Sequence, residues 1–198
     1  MAQDKVNHRA ELIIIGGSAG SLQMIFYILE NCSREFSIPI LIVLHRDPQG
    51  LSKLADLLAT KTVLQVKEIE DKEQIEKGCV YICPADYHVL VEEDGYFSLD
   101  YSEKINFSRP SIDVSFKSGA DVYKDRLVCI LLSGANADGA DGLNYVKDHE
   151  GTTIVHHPEE AVVSYMPEQA LLIRKADYIL RKNEIVEFMQ RLNSVSSS

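Results

Sequence analysis

Ile13-Ile14-Ile15-Gly16-Gly17-Ser18-Ala19-Gly20-Ser21 decides how the rest of this chain is read. A β-branched apolar run stops on small residues, and an apolar helical spacing (Leu22, Ile25, Phe26, Leu29) starts at once. The pattern predicts a buried strand, a tight turn and a helix start, with Ser18 in the turn. Ser18 is then expected at the carboxyl end of a strand, beside the free N–H groups of a helix N-terminus. Ligands of open α/β sheets bind at such places, and negative charge is stabilised there.

Outward from this stretch, apolar strands keep alternating with helical patterns. Ile40 to Leu44 is solidly apolar, the mark of a parallel strand covered on both faces, and it ends on the polar turn His45-Arg46-Asp47-Pro48-Gln49-Gly50. A short helix over Leu51 to Ala59 and a strand over Thr62 to Val66 are expected next. Glu68 to Lys77 reads as a solvated loop or short helix. Val80 to Cys83 and His88 to Val91 read as strands, and Glu93-Asp94-Gly95 carries a hairpin signal before Tyr96 to Leu99, so the central third looks antiparallel. Ile112 to Val122 has a helical pattern with Ser111 at the N-cap position. Leu127 to Leu132 is again fully apolar and breaks on Ser133-Gly134-Ala135-Asn136-Ala137-Asp138-Gly139. Helix Leu143 to His149, strand Thr152 to Val155, helix Met166 to Ile173, strand Tyr178 to Leu180 and helix Glu184 to Leu192 follow, with a frayed tail over Ser194 to Ser198. The expected fold class is α/β: a doubly wound, mainly parallel sheet with helices on both faces and a small antiparallel hairpin in the central third. No linker or repeat divides the chain, so a single domain over 1–198 is expected.

The bulk numbers narrow the function. Thirty acidic residues against twenty basic ones give a formal net charge of -10. That balance speaks against nucleic acid as a partner, which needs a basic footprint. No apolar run is long enough to span a bilayer and the N-terminus lacks a signal-peptide core, so no stable membrane insertion and a cytoplasmic location are expected. The four cysteines show no CxxC pairing. A zinc set from Cys79, Cys83 and a distant histidine competes with the strand pattern of that segment, and free buried thiols are the simpler reading.

Ser18, His45 and Asp138 each follow an apolar strand of the expected parallel sheet, whose carboxyl ends share one edge. These are the residue types of an acyl-transfer triad: a hydroxyl nucleophile, an imidazole that takes and returns its proton, and a carboxylate that fixes the tautomer. Each also has a simpler reading. Ser18 caps its helix, His45 is a polar loop residue, and Asp138-Gly139 is a turn. His156-His157 precedes Pro158 in a loop without metal-ligand spacing. Gly16-Gly17-Ser18-Ala19-Gly20 satisfies G-x-S-x-G, yet its place on the first strand and the order Ser, His, Asp do not suit an α/β-hydrolase. G-G-x-x-G is likewise not a dinucleotide fingerprint.

Taken together, IIIGGSAGS, LIVLHRDPQG, GCVYICPADYHVLV, RPSIDVSF, LLSGANADGADGL and EEAVVSYMPEQAL resemble the catalytic domain of the chemotaxis protein-glutamate methylesterase (CheB) family, from about Leu12 to Leu192. The resemblance implies a cytoplasmic serine hydrolase that removes methyl esters from glutamate side chains of chemoreceptor signalling domains. Many members also deamidate glutamines. It places the nucleophile on Ser18, the histidine on His45 and the aspartate on Asp138, with Ala19, Gly20, Ala135 and Asn136 as oxyanion and substrate-binding candidates. The expected partner is the methylated chemoreceptor, with other chemotaxis or sensory signalling proteins as further candidates; no metal or organic cofactor is implied. The chain departs from the family near the site. Ser18-Ala19-Gly20-Ser21 stands for Ser-Thr-Gly-Gly, Leu44 and Arg46 for Gln and Met around the histidine, and Gly134-Ala135-Asn136 for Gly-Met-Gly. These losses motivate an alternative, a catalytically impaired binding module. Arg46 reads as a solvated loop residue, or as a contact for an acidic receptor surface. The family's N-terminal receiver domain is not expected here, since only about a dozen residues precede the first strand.

Overall fold

The computed structural model describes residues 9–46, 53–105 and 107–196. Strands β1 (Leu12–Gly17), β2 (Ile40–Leu44), β3 (Gln65–Glu68), β5 (Cys79–Ile82), β8 (Leu127–Leu131), β9 (Thr152–His156) and β10 (Tyr178–Leu180) form one sheet in the order β10-β9-β8-β1-β2-β5-β3. Every ladder in it is parallel. β1, β2, β5, β8 and β9 are buried along their whole length, as near-continuous apolar runs require. A second, antiparallel sheet has the order β4-β7-β6, from β4 (Glu73–Gln74), β6 (His88–Val91) and β7 (Tyr96–Asp100).

Alternation along the strands splits the core in two. Ile13, Ile15, Ile40 and Ile42 face helices α1 (Leu22–Glu30), α2 (Leu54–Ala59) and α6 (Lys182–Ser196). Leu12, Ile14, Leu41 and Val43 face α3 (Ile112–Tyr123), α4 (Ala140–Asp148), α5 (Tyr165–Ile173) and the small sheet. The sheet is therefore doubly wound. After β1 the chain leaves toward α1 on one face, and after β8 toward α4 on the other. The crevice between those departing loops is where such sheets bind ligands.

The structure differs from the sequence expectation in several places. β5 and β3 belong to the parallel sheet, so the antiparallel part of the central third is β6 and β7 with β4 added. β3 begins three residues later than expected, because an exposed edge strand carries little apolar signal. β4 lies inside the charged stretch; two residues have no period, and its place is set by pairing with Tyr96 and Phe97. Helix α6 runs on to Ser196, into the Ser194 to Ser198 tail expected to fray; the last two residues of that tail lie outside the described residues. The first residues of the expected Leu51–Ala59 helix lie outside the described residues. No helix among the described residues is long and apolar enough to cross a membrane.

Candidate active site

Strand register brings the first two candidate residues together. Gly17 of β1 lies opposite Leu44 of β2, so Ser18 and His45 are the next residues of neighbouring strands. The His45 N–H donates to the Gly17 carbonyl at 3.2 Å, and the Ser18 N–H donates to the Ser133 carbonyl, just past β8, at 2.9 Å. Ser133, Ser18 and His45 thus stand side by side at one sheet edge.

Asp138 reaches this edge from the loop before α4. Its Oδ2 lies 2.7 Å from His45 Nε2. The same oxygen accepts the Ile112 N–H at 2.6 Å, while Oδ1 accepts the Ser111 hydroxyl at 2.8 Å and the Asp113 N–H at 3.1 Å. Asp138 is fully buried. Burial pushes its carboxyl up, but the His45 ring and the amides of Ile112 and Asp113 outweigh that and hold it below the ordinary carboxylate range. An ionised carboxylate only accepts, so Nε2 carries the proton of a neutral His45 and Nδ1 carries the lone pair.

These contacts depend on α3 lying close to β1. A side chain at Gly16 would meet Ile112 Cγ2 at 2.4 Å, so glycine lets Ile112 and its N–H settle over the strand end. Ser111 occupies the N-cap position, but its hydroxyl turns to Asp138 instead of capping its own helix. The anion at the helix N-terminus is Asp138 itself.

Nδ1 of His45 faces Asn136. Asn136 Nδ2 is 3.4 Å from it and 3.2 Å from Ser108 Oγ. The Asp138 N–H donates to Asn136 Oδ1 at 3.2 Å, which decides which end of the amide meets the imidazole. No hydrogen bond joins Ser18 Oγ to His45. Ser18 does not cap α1: the N-cap is Ser21, whose N–H and hydroxyl both donate to the Ser18 carbonyl. Ala19 and Gly20 are exposed, Gly20 at φ +80, and their N–H groups donate to no described residue. Ala135 is also exposed, and the N–H groups of Ala135 and Asn136 are likewise unbonded among the described residues. Two pairs of unbonded amide donors thus lie in the loops that follow β1 and β8.

A cavity of about 390 Å³ opens over His45 and is lined by Arg46, Asp86, Lys104, Phe107 and Arg109. Arg109 clamps its wall, donating to Asp86 at 2.8 Å and to the Ser102 carbonyl at 2.7 Å. Phe107, at the rim, is 97% exposed. Arg46 is not the solvated residue expected from sequence. Its side chain is 6% exposed, pairs with Glu68 and donates to the Cys83 carbonyl at 3.4 Å.

Three neighbours of the site escaped sequence reasoning: Ser108, Ser111 and Asp113. Asp113 is buried behind Asp138, and its Oδ1 accepts the N–H groups of Gly139 at 3.0 Å and Gly142 at 2.6 Å. Burial first, and the Asp138 charge second, raise its carboxyl to about 6. His156, expected in a loop, is the last residue of β9; it is buried, and burial lowers its pKa. All four cysteines are free and buried, and no group of three or more metal-ligating side chains is found among the described residues.

Comparison with known proteins agrees with this architecture. Residues 13–189 match the family model described as CheB methylesterase. A relative in Leptospira interrogans is 40% identical over 183 residues, covering 92% of this chain and 95% of that protein. One in Thermotoga maritima, named protein-glutamate methylesterase/protein-glutamine glutaminase, is 36% identical; the match covers 89% of this chain and 52% of that protein. The crystal structure of the Thermotoga maritima CheB methylesterase catalytic domain superposes with a TM-score of 0.87 at 34% identity, over 91% of this chain and 98% of that one. With a model match across nearly its whole length, the chain belongs to the CheB methylesterase family, a family of enzymes.

Proposed function

We propose that this protein hydrolyses methyl esters of glutamate side chains on chemoreceptor signalling domains in the cytoplasm, with Ser18, His45 and Asp138 as its catalytic residues. The observation that carries this reading is the 2.7 Å contact between His45 Nε2 and the Asp138 carboxylate, one strand spacing from Ser18. With Nε2–H committed to Asp138, the base is Nδ1. It takes the Ser18 hydroxyl proton as Oγ attacks the ester carbonyl. The unbonded N–H groups of Ala19 and Gly20 are the oxyanion donors. The C–O bond to the methoxy group then breaks, and methanol leaves with the proton from Nδ1. Water, deprotonated at the same nitrogen, cleaves the glutamyl-serine ester and returns Ser18. A glutamine side chain reaches the same acyl-serine with ammonia as leaving group, so deamidation needs no further residue.

The cavity over His45 receives the residues flanking the ester. A fluorophosphonate probe tests the reading: Ser18 is labelled in the wild type, and S18A is not labelled. A silent wild type would remove the nucleophile assignment.

A further inference from the structure

Asn136 holds a donor against the one nitrogen that has to accept a proton. Its Nδ2 is 3.4 Å from His45 Nδ1, and that end of the amide faces the ring because the Asp138 N–H donates to Oδ1. A long contact of this kind is weak, yet its direction opposes catalysis twice. In the resting enzyme it fills the lone pair that the Ser18 hydroxyl needs, and Ser18 makes no hydrogen bond to the ring. Once Nδ1 is protonated, the amide N–H groups and the imidazolium N–H face each other as two donors. The second amide proton already has another seat, since Nδ2 also lies 3.2 Å from Ser108 Oγ.

We infer that Asn136 is a positioning residue that restrains His45, and that Ser108 is where its amide withdraws when Ser18 engages the imidazole. The inference rests on the reading of His45 Nδ1 as the base. Ser108 belongs to the wall of the same cavity as Phe107 and Arg109.

The test compares wild type, N136G, S108A and the double variant on a receptor fragment carrying glutamate methyl esters, measuring kcat and KM separately. A hydrogen bond of this class is worth about two- to fivefold in rate. N136G is expected to raise kcat by about that factor with KM unchanged. S108A is expected to lower kcat about twofold by leaving the amide on His45, and S108T to restore it. In the N136G background, S108A has no amide to redirect, so the two effects are non-additive. A merely structural role for Asn136 makes N136G slower, and that result overturns the inference. Should N136G fail to fold, S108A decides alone: a kcat equal to or above wild type overturns it. S18A in parallel separates the two readings. If S18A is inactive and N136G is not faster, the restraint fails and the hydrolase stands; if S18A keeps turnover, the assignment of the base fails with it.

Discussion

Asp138 and Asp113 cap each other's helices. Asp138, in the loop before α4, accepts the N–H groups of Ile112 and Asp113 at the start of α3. Asp113, in the first turn of α3, accepts those of Gly139 and Gly142 at the start of α4. Each carboxylate sits where a helix N-terminus favours an anion. The reciprocal pair locks the loop carrying Asp138 to α3 and leaves one Asp138 oxygen in contact with His45. One arrangement therefore serves both the fold and the site.

D138N tests that double duty. The amide puts a donor where two oxygens accepted, so either α3 loses its cap or Nε2 of His45 meets an N–H. The second outcome moves the imidazole proton to Nδ1, the nitrogen proposed as the base. On the proposed Ser18, His45 and Asp138 mechanism, kcat is expected to fall about 10³–10⁴-fold. Loss of the capping charge costs about 1–2 kcal/mol, and at about 2–4 °C per kcal/mol the thermal midpoint drops by several degrees. Steady-state kinetics and thermal melts on one sample check both.

D113N is expected to stabilise the protein at neutral pH. The folded carboxyl titrates at about 6, above its ordinary 3.8. Between those values the folded state holds a proton that the unfolded chain has lost, so this contribution to stability declines as pH rises through 6 and stays as a cost above it. Asp138, held low, runs the other way: its contribution is present above the ordinary carboxylate range and is lost as pH falls through its folded value. Asparagine keeps Oδ1 for Gly139 and Gly142 and removes the charge facing Asp138. The melting temperature of D113N should exceed wild type by about 2–4 °C near pH 8, with the difference gone near pH 4. A lower midpoint at pH 8 would show that the anion at the start of α4 outweighs the repulsion.

Arg46 reads in the structure as a strut between the turn after β2 and the segments around Glu68 and Cys83. R46M is expected to cost about 1–2 kcal/mol, since Glu68 is half exposed and regains water, with KM unchanged. A raised KM that depends on salt would return Arg46 to the substrate surface.

Phe107 is the apolar contact offered at the rim of the cavity over His45. Burying such a side chain is worth about 1.5–3 kcal/mol, so F107A should raise KM for a receptor fragment about tenfold or more while leaving small esters unaffected.

The sequence was most legible where burial is complete. β1, β2, β8 and β9 are solid apolar runs, and their ends placed Ser18, His45 and the loop of Asp138 at one edge of a parallel sheet before any coordinates. It was least legible where a neighbour decides the structure. β3 is a half-exposed edge strand, and β4 exists because Phe97 and Tyr96 offer it a partner. Asp113 and Ser111 meet Asp138 across a separation of about 26 residues; local spacing marks Ser111 only as an N-cap and Asp113 not at all. Asn136 was visible as a candidate, but the Asp138 amide that turns its Nδ2 toward His45 was not. Arg46 looked solvated because its partner, Glu68, lies 22 residues away.

On the proposed mechanism Ser18 opens a glutamyl methyl ester. A receptor fragment bearing glutamate methyl esters, incubated with the protein in ¹⁸O-labelled water and read by mass spectrometry, tests it most directly. Wild type is expected to remove the methyl group and leave one labelled oxygen on each new carboxylate, whereas S18A returns the fragment unchanged. An intact methyl ester after incubation with folded wild type, or hydrolysis by S18A at the wild-type rate, would contradict it.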